Sequence, residues 1–266
     1  MKFACFVDYS NLAGSLSKLN LRINDYQCFF RFIFDEAYKQ IKVAYLSSSD
    51  HCEALISRVY WYAVGHIDQY DFTDPQTRTF FQELFNYSGD VKKELLAEAG
   101  KSAPGRSSSE VYQKAFESFY EDRKNWYLSK VKKIEGYCGF YDKVRRESDF
   151  IDINDSGHWR LDLISKQVDE KGVDTSLAVD SVTMANTYDV ALIVSGDADM
   201  IPSINYLKRQ GKYVGAVTFI KGHPPEKKGR QQSTRLSKMA DFDVPIYETD
   251  LTRLGCGEVF SGESSL

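Results

Sequence analysis

The sequence has few cysteines, and their spacing does not suit a metal site or a disulfide framework. Its 266 residues include five, at positions 5, 28, 52, 138 and 256, and no Cys-x-x-Cys pair. Structural zinc sites and small disulfide-rich scaffolds show paired or regularly spaced cysteines. The scattered, odd-numbered set argues against both classes and predicts a reducing, cytoplasmic location.

Long apolar runs and cofactor motifs are also missing. No stretch approaches the ~20 apolar residues of a membrane helix, and Asp8 interrupts the N-terminal segment where a secretory signal would be apolar. We therefore expect no membrane partner. The sequence has neither a G-x-G-x-x-G turn nor a G-x-x-x-x-G-K-[ST] loop, and its four histidines show no H-x-x-x-H spacing.

A surplus of basic residues is absent as well. The formal net charge is -4 and the isoelectric point about 5.7, which excludes a simple basic nucleic-acid-binding domain. A nuclease is compatible with this value, because an acidic metal cluster lowers the total while basic loops act locally. Aromatic residues make up 14%, and we expect most of these rings in the core, with some available for stacking on bases.

The pattern of apolar residues predicts alternating strands and helices, typical of an α/β fold. The predicted strands are 2–8, 58–68, 190–194 and 213–220, and the predicted helices are 25–40, 174–186 and 203–210. Weaker patterns predict strand-like structure in 41–50, a short helical turn in 51–57, a loop over 102–110 and a strand with a turn over 136–152.

The domain organisation follows from a change in composition. Residues 74–135 become rich in Leu, Ala, Glu and Lys, which predicts a helical insertion. Strand–helix alternation resumes after it, so we predict one domain over 1–250 with this insertion, and a C-terminal tail over 251–266.

The most informative stretch is 191–202, ALIVSGDADMIP, in which a buried strand ends in Asp197 and Asp199. Asp8 likewise ends the first strand, and Asp174 begins a helix after a tight turn. The carboxyl ends of parallel strands meet at one edge of a sheet, so we expect these four carboxylates to converge. Each alone is more typical of a helix cap or turn, but together they predict a site for Mg²⁺ or Mn²⁺, which prefer oxygen ligands.

Three segments in order resemble the motifs of NYN domains, PIN-like nucleases of the LabA-like kind. They are DYSN at 8–11, KGVDTSLAVD at 171–180 and VSGDADMIPSI at 194–204. The resemblance extends from Asp8 to about Ile246 but does not account for 74–135. It implies a Rossmann-like three-layer sandwich with a central, mainly parallel sheet and metal-dependent cleavage of RNA.

The resemblance also implies roles for individual residues. Asp8, Asp174 and Asp197 would bind the metal, and Asp199 would act on the metal or its water. Asn11 would support Asp8, and Ser195 would orient the site. Asp180 matches a further acid of the family's helix motif, but six helical residues turn it away from Asp174, which favours a supporting role.

Basic residues suggest where RNA binds. The candidates for phosphate contacts are Lys171, Lys221, Lys227, Lys228, Arg230 and Arg235. For the loop 221–238 an RNA-binding role and a solvated loop are equally favoured. The basic helix around Arg123–Lys133 fits a solvated face better than an RNA-binding one.

Three functions remain open. The first is a Mg²⁺- or Mn²⁺-dependent ribonuclease acting on single-stranded or tRNA-like RNA. The second is an inactive PIN-like module that binds RNA or a partner protein, or forms a homodimer, through 74–135. The third is a phosphatase or a structure-specific DNA nuclease, because metal-assisted phosphoester chemistry does not separate these substrates.

Overall fold

A computed structural model describes residues 1–45, 53–102, 104–224 and 234–260. Its strands are β1 Lys2–Asp8, β2 Leu21–Ile23, β3 Leu55–Ile67, β4 Ile151–Asp162, β5 Gln167–Lys171, β6 Val190–Val194, β7 Tyr213–Ile220, β8 Phe242–Tyr247 and β9 Gly257–Val259. Its helices are α1 Tyr9–Lys18, α2 Tyr26–Tyr45, α3 Pro75–Tyr87, α4 Asp90–Lys101, α5 Ser108–Glu147, α6 Val173–Thr183, α7 Ile201–Arg209, α8 Thr234–Met239 and α9 Glu248–Arg253.

A seven-stranded sheet has the order β5-β4-β3-β1-β6-β7-β8. β1 pairs in parallel with β3 and β6, and β6–β7 and β7–β8 are also parallel. The β4–β5 pair is antiparallel, and β2 and β9 form a separate antiparallel pair. Helices flank this mainly parallel sheet, so the predicted Rossmann-like α/β fold is confirmed.

The chain divides into two compact units. Unit 1 comprises residues 1–63, 140–157 and 172–266, and unit 2 comprises 64–139 and 158–171. Unit 1 has its core around the central strands; β6 is buried along its whole length, as a parallel strand covered on both faces requires. Unit 2 has a core of its own, in which Phe81, Phe85 and Phe119 are almost fully buried.

Several local predictions are wrong. Residues 41–45 continue α2, residues 55–57 belong to β3, and residues 136–147 continue α5 where a strand was expected. The aromatic, glycine-containing stretch after residue 136 has strand-like composition. However, Ile134, Tyr141 and Val144 are all buried at helical spacing, and this packing outweighs local propensity.

The predicted loop over 102–110 is shorter than expected, because α5 begins at Ser108. Ser107 and Glu110 form a capping box: the Ser107 N–H donates to Glu110 Oε2 at 2.9 Å, and the Ser107 hydroxyl accepts from the Glu110 N–H at 3.3 Å. The pattern S-x-x-E was visible in the sequence and would have marked this helix start.

The C-terminal segment is tied to the N-terminal third of unit 1. β9 pairs with β2, and Cys28 and Cys256 are joined by a disulfide with their Cα atoms 5.7 Å apart. Cysteine spacing did not predict this bridge, because its partners lie 228 residues apart in the sequence. In the described residues no helix is both long and apolar enough to cross a membrane.

Candidate active site

Asp8 is held in a fixed orientation where β1 ends and α1 begins. It is the N-cap of α1, and its side chain is 2% exposed. The Asn11 N–H donates to Asp8 Oδ1 at 3.0 Å, and the Asn11 side-chain amide donates to Oδ2. A helix cap therefore also fixes the carboxylate that the sequence predicts as a metal ligand.

Ser195 connects Asp8 to the turn that follows β6. Its buried hydroxyl donates to Asp8 Oδ2 at 3.4 Å and accepts from the Asp197 N–H at 3.1 Å. Asp197 caps the short 3₁₀ turn Ala198–Met200, since its Oδ1 accepts from the Asp199 N–H at 2.9 Å. One hydroxyl thus links the ends of two neighbouring parallel strands.

Gly196 is a part of this arrangement that sequence reasoning missed. A Cβ atom at this position would lie 2.7 Å from Asn11 Oδ1, too close for any side chain unless Asn11 moves. A glycine between a strand end and two acids was the available signal, because such glycines often allow a close approach.

Asp174 lies in the first turn of α6, just after Gly172. Gly172 has φ 90°, a left-handed conformation that glycine adopts without strain and that starts the helix here. α6 contacts both β1 and the turn Ala198–Met200. Asp174, in the amino-terminal turn of α6, lies close enough to Asp8 and Asp197 for their charges to act on it.

The electrostatics show that the carboxylates share one environment. Burial raises the pKa of Asp8, although hydrogen bonds from Asn11 and Ser195 oppose this rise. The pKa of Asp174 is raised first by desolvation and then by repulsion from Asp8, Asp197 and Asp199. The structure therefore brings all four predicted acids together, and we call them the acidic edge.

The donor atoms of the acidic edge suit a hard divalent cation. Its donors are carboxylates, and positive charge would relieve the repulsion that raises the pKa of Asp174. Within the described ranges, no group of three or more His, Cys, Asp and Glu side chains is arranged to hold a metal ion. A Mg²⁺ ion bound to these acids would keep several waters beside its carboxylate ligands, which is its usual coordination.

Asp180 lies on α6 but bonds elsewhere. The hydroxyl of Tyr62, a buried residue of β3, donates to Asp180 Oδ2 at 3.0 Å. This contact anchors α6 against the sheet, and sequence reasoning did not identify Tyr62.

The predicted RNA-binding residues have varied environments. Lys171 pairs with Asp169 at 3.1 Å. Lys221 follows β7 directly, and Arg235 lies in α8. Lys227, Lys228 and Arg230 lie outside the described residues.

Comparison with known proteins supports the resemblance seen in the motifs. Residues 111–241, just under half of the chain, match the family model of the NYN domain, a nuclease-type family whose members typically use divalent metals. The predicted NYN resemblance is thereby confirmed. The matched range contains Asp174, Asp197 and Asp199 but not Asp8.

No curated protein matches the chain. One similar solved structure is a protein of unknown function from Vibrio parahaemolyticus. It is 14% identical, and the alignment covers 93% of each chain with a TM-score of 0.42.

Proposed function

We propose, from the NYN match and the convergence of four carboxylates, that this chain is a Mg²⁺- or Mn²⁺-dependent ribonuclease acting at the acidic edge. The observation that carries the proposal is that Asp174 lies close enough to Asp8, Asp197 and Asp199 for their charges to act on it, which together with desolvation raises its pKa. Four carboxylates from three separate segments are costly to gather without a cation. Acids that serve only as helix caps do not have to lie close to one another.

The residues of the chain have distinct tasks in this proposal. Asp8 and Asp197 present oxygens whose directions are fixed by Asn11, Ser195 and the 3₁₀ turn. Asp174 and Asp199 are more exposed; Asp174 would add a further oxygen to the metal, and Asp199 would act on the metal or its water. When bound, the divalent ion supplies Lewis-acid stabilisation of the phosphodiester and activation of water.

The test replaces Asp8 by Asn, which keeps the side-chain size but removes the charge. We expect Mn²⁺-dependent cleavage of labelled RNA to fall at least about 100-fold, because removal of even the groups that support a metal ligand costs 10–100-fold. Cleavage by Asp8→Asn at the wild-type rate would show that the acidic edge is not the active site.

The matched control is Asp189→Asn. Asp189 precedes β6, and its Oδ2 accepts from the Lys2 N–H at 2.7 Å, so it belongs to the opposite end of the same two strands. We expect this variant to cleave RNA at the wild-type rate. Equal losses in both variants would point to a general loss of folding.

A second candidate is a PIN-like module that binds RNA or a partner without cleaving it. It is favoured by unit 2, which has a hydrophobic core of its own and contains none of the four acids. RNA binding with no product at any Mg²⁺ or Mn²⁺ concentration would support the module over the ribonuclease.

A further inference from the structure

One face of α5 carries alternating aromatic and cationic side chains. Trp126, Lys130, Lys133 and Tyr137 follow one another at intervals of four, three and four residues, which places them on one side of a helix. We call these four residues the cation–aromatic stripe. All of them belong to unit 2.

The cations lie directly over the rings. Lys130 Nζ is 5.5 Å from the centre of the Trp126 ring, and Lys133 Nζ is 5.6 Å from that of Tyr137. Trp159 of β4 meets Tyr137 edge to face at 5.8 Å, which adds a third ring to the surface. Such pairs orient both the ring and the cation.

The rings are anchored and still partly exposed. Trp126 packs against the unit 2 core, and Trp126, Tyr137 and Trp159 are each partly accessible to solvent. A solvated lysine face has no need of three partly exposed rings, since large aromatic surfaces are normally buried. This arrangement argues against the solvated face that the sequence favoured.

The charge of this helix segment has one sign. No Asp or Glu occurs between residues 123 and 134. Arg123 pairs with Asp122, and Lys124 lies 3.9 Å from Glu121. In the described part of the chain, Lys130 and Lys132 have no carboxylate within salt-bridge distance. Lys130 therefore presents uncompensated positive charge beside the aromatic faces of the stripe.

We propose that the cation–aromatic stripe binds single-stranded RNA, with bases stacking on the rings of Trp126, Tyr137 and Trp159 and phosphates paired with Lys130 and Lys133. Stacked rings and nearby cations are the usual means of binding single strands without sequence preference. Paired bases within a duplex cannot reach the rings, so single strands are the preferred form. The inference rests on the proposed function only in taking RNA as the ligand.

The first test measures RNA binding in EDTA, where metal-dependent cleavage cannot occur. The probe is a labelled oligouridylate, and the readout is fluorescence anisotropy. For Lys130→Glu/Lys133→Glu we expect binding to weaken about tenfold or more. We also expect the slope of log K against log salt concentration to become shallower by about 1.4, because each lysine that no longer neutralises a phosphate removes ~0.7 from that slope.

The control is Lys93→Glu/Lys101→Glu, which makes the same charge change on α4 of unit 2. Lys93 pairs with Asp90 on the helix surface, and Lys101 is exposed in the last turn. We expect less than about a twofold change in binding. Equal weakening of both double variants would overturn the proposal, because it would show that only net charge matters.

A second readout uses tryptophan fluorescence. The three tryptophans are Trp61, Trp126 and Trp159, and Trp61 is fully buried. Stacked bases should therefore quench Trp126 and Trp159, and Trp126→Phe should remove a large part of the quenching while retaining the fold. Absence of quenching on RNA binding, or equal affinity for duplex RNA, would refute the proposal; equal affinity for oligothymidylate would extend it to single-stranded DNA.

These outcomes separate the inference from the proposed function. RNA binding that depends on the stripe, without cleavage in Mn²⁺, would refute the proposed ribonuclease activity and support RNA binding by the stripe. Cleavage by Lys130→Glu/Lys133→Glu with unchanged KM, together with unchanged binding in EDTA, would refute RNA binding by the stripe and support the ribonuclease activity.

Discussion

The acidic edge and the cation–aromatic stripe handle charge in opposite ways. At the acidic edge, like charges approach one another, and the pKa of Asp174 rises because of desolvation and repulsion. On the stripe, each of two lysines lies over an aromatic ring. Carboxylates whose mutual repulsion the fold does not offset suggest a bound cation. Lysines beside partly exposed aromatic rings suggest an anionic ligand with planar groups that can stack.

The largest difference between the two regions should appear with glycine replacements. Gly196→Ala would push against Asn11 Oδ1 and displace the amide that orients Asp8. We expect RNA cleavage to fall roughly 10–100-fold, the decrease typical of removing support for a metal ligand.

The matched replacement is Gly136→Ala on α5, where a Cβ would meet nothing within 4 Å. Alanine is favoured over glycine in a helix interior by up to about 1 kcal/mol, so stability should rise slightly and cleavage should stay unchanged. Wild-type cleavage by Gly196→Ala would show that the orientation of Asp8 does not matter.

The second largest difference should be in the Tm shift that Mn²⁺ causes, which should depend on the acidic edge and not on the stripe. At about 100 times its Kd, a ligand that binds only the folded state adds about 2.7 kcal/mol, or roughly 5–10 °C in Tm for a protein of this size. Asp174→Asn should lose most of this shift, while Lys130→Glu/Lys133→Glu should keep it. A Tm shift in Asp174→Asn as large as that of the wild type would show that Asp174 does not take part in Mn²⁺ binding.

The same variant tests the cost of the acidic edge without metal. Because the folded-state pKa of Asp174 is raised, its contribution to stability is full below the unfolded pKa of about 3.9 and is lost as the pH rises through the folded pKa. At a pH above the folded pKa of Asp174 the wild type has lost this contribution, so metal-free Asp174→Asn should there have an equal or higher Tm. A Tm in EDTA that is lower for Asp174→Asn than for the wild type would contradict the prediction that repulsion at Asp174 destabilises the metal-free protein.

The smallest expected effect concerns Asp68 of unit 2. Burial alone would raise the pKa of Asp68, but the Leu161 N–H at 2.8 Å and His158 Nε2 at 2.7 Å lower it below its ordinary value. The stability it contributes is therefore present above the unfolded pKa and lost as the pH falls through the folded pKa. This sign is opposite to that of Asp174.

We expect Asp68→Asn to lower Tm at pH 7 by about 2–4 °C, the shift that about 1 kcal/mol produces in a protein of this size. Thermal melts between pH 2 and pH 7 would measure the difference from wild type, which should close in the acid range. A difference that stays constant with pH would show that poorer packing, and not the charge of Asp68, is responsible.

Much of unit 1 could be predicted from the sequence. β1, β6 and β7 were predicted at the same residues as observed, because buried parallel strands appear as short apolar runs with turn residues at their ends. The acids at the ends of those runs could be found for the same reason. α5 could not be predicted in full, because its last three turns have strand-like composition and are helical through the burial of Tyr141 and Val144.

The sequence by itself determined the alternation of strands and helices, the identity of the four acids and the order of the NYN-like motifs. Local periodicity and turn chemistry are sufficient for these features. Only the tertiary structure decided that Ser195 links Asp8 to Asp197, that a Cβ at position 196 would press on the Asn11 side chain, and that Trp159 joins the rings on α5. Each of these contacts joins residues from separate segments, and the folded backbone alone sets the distance between them.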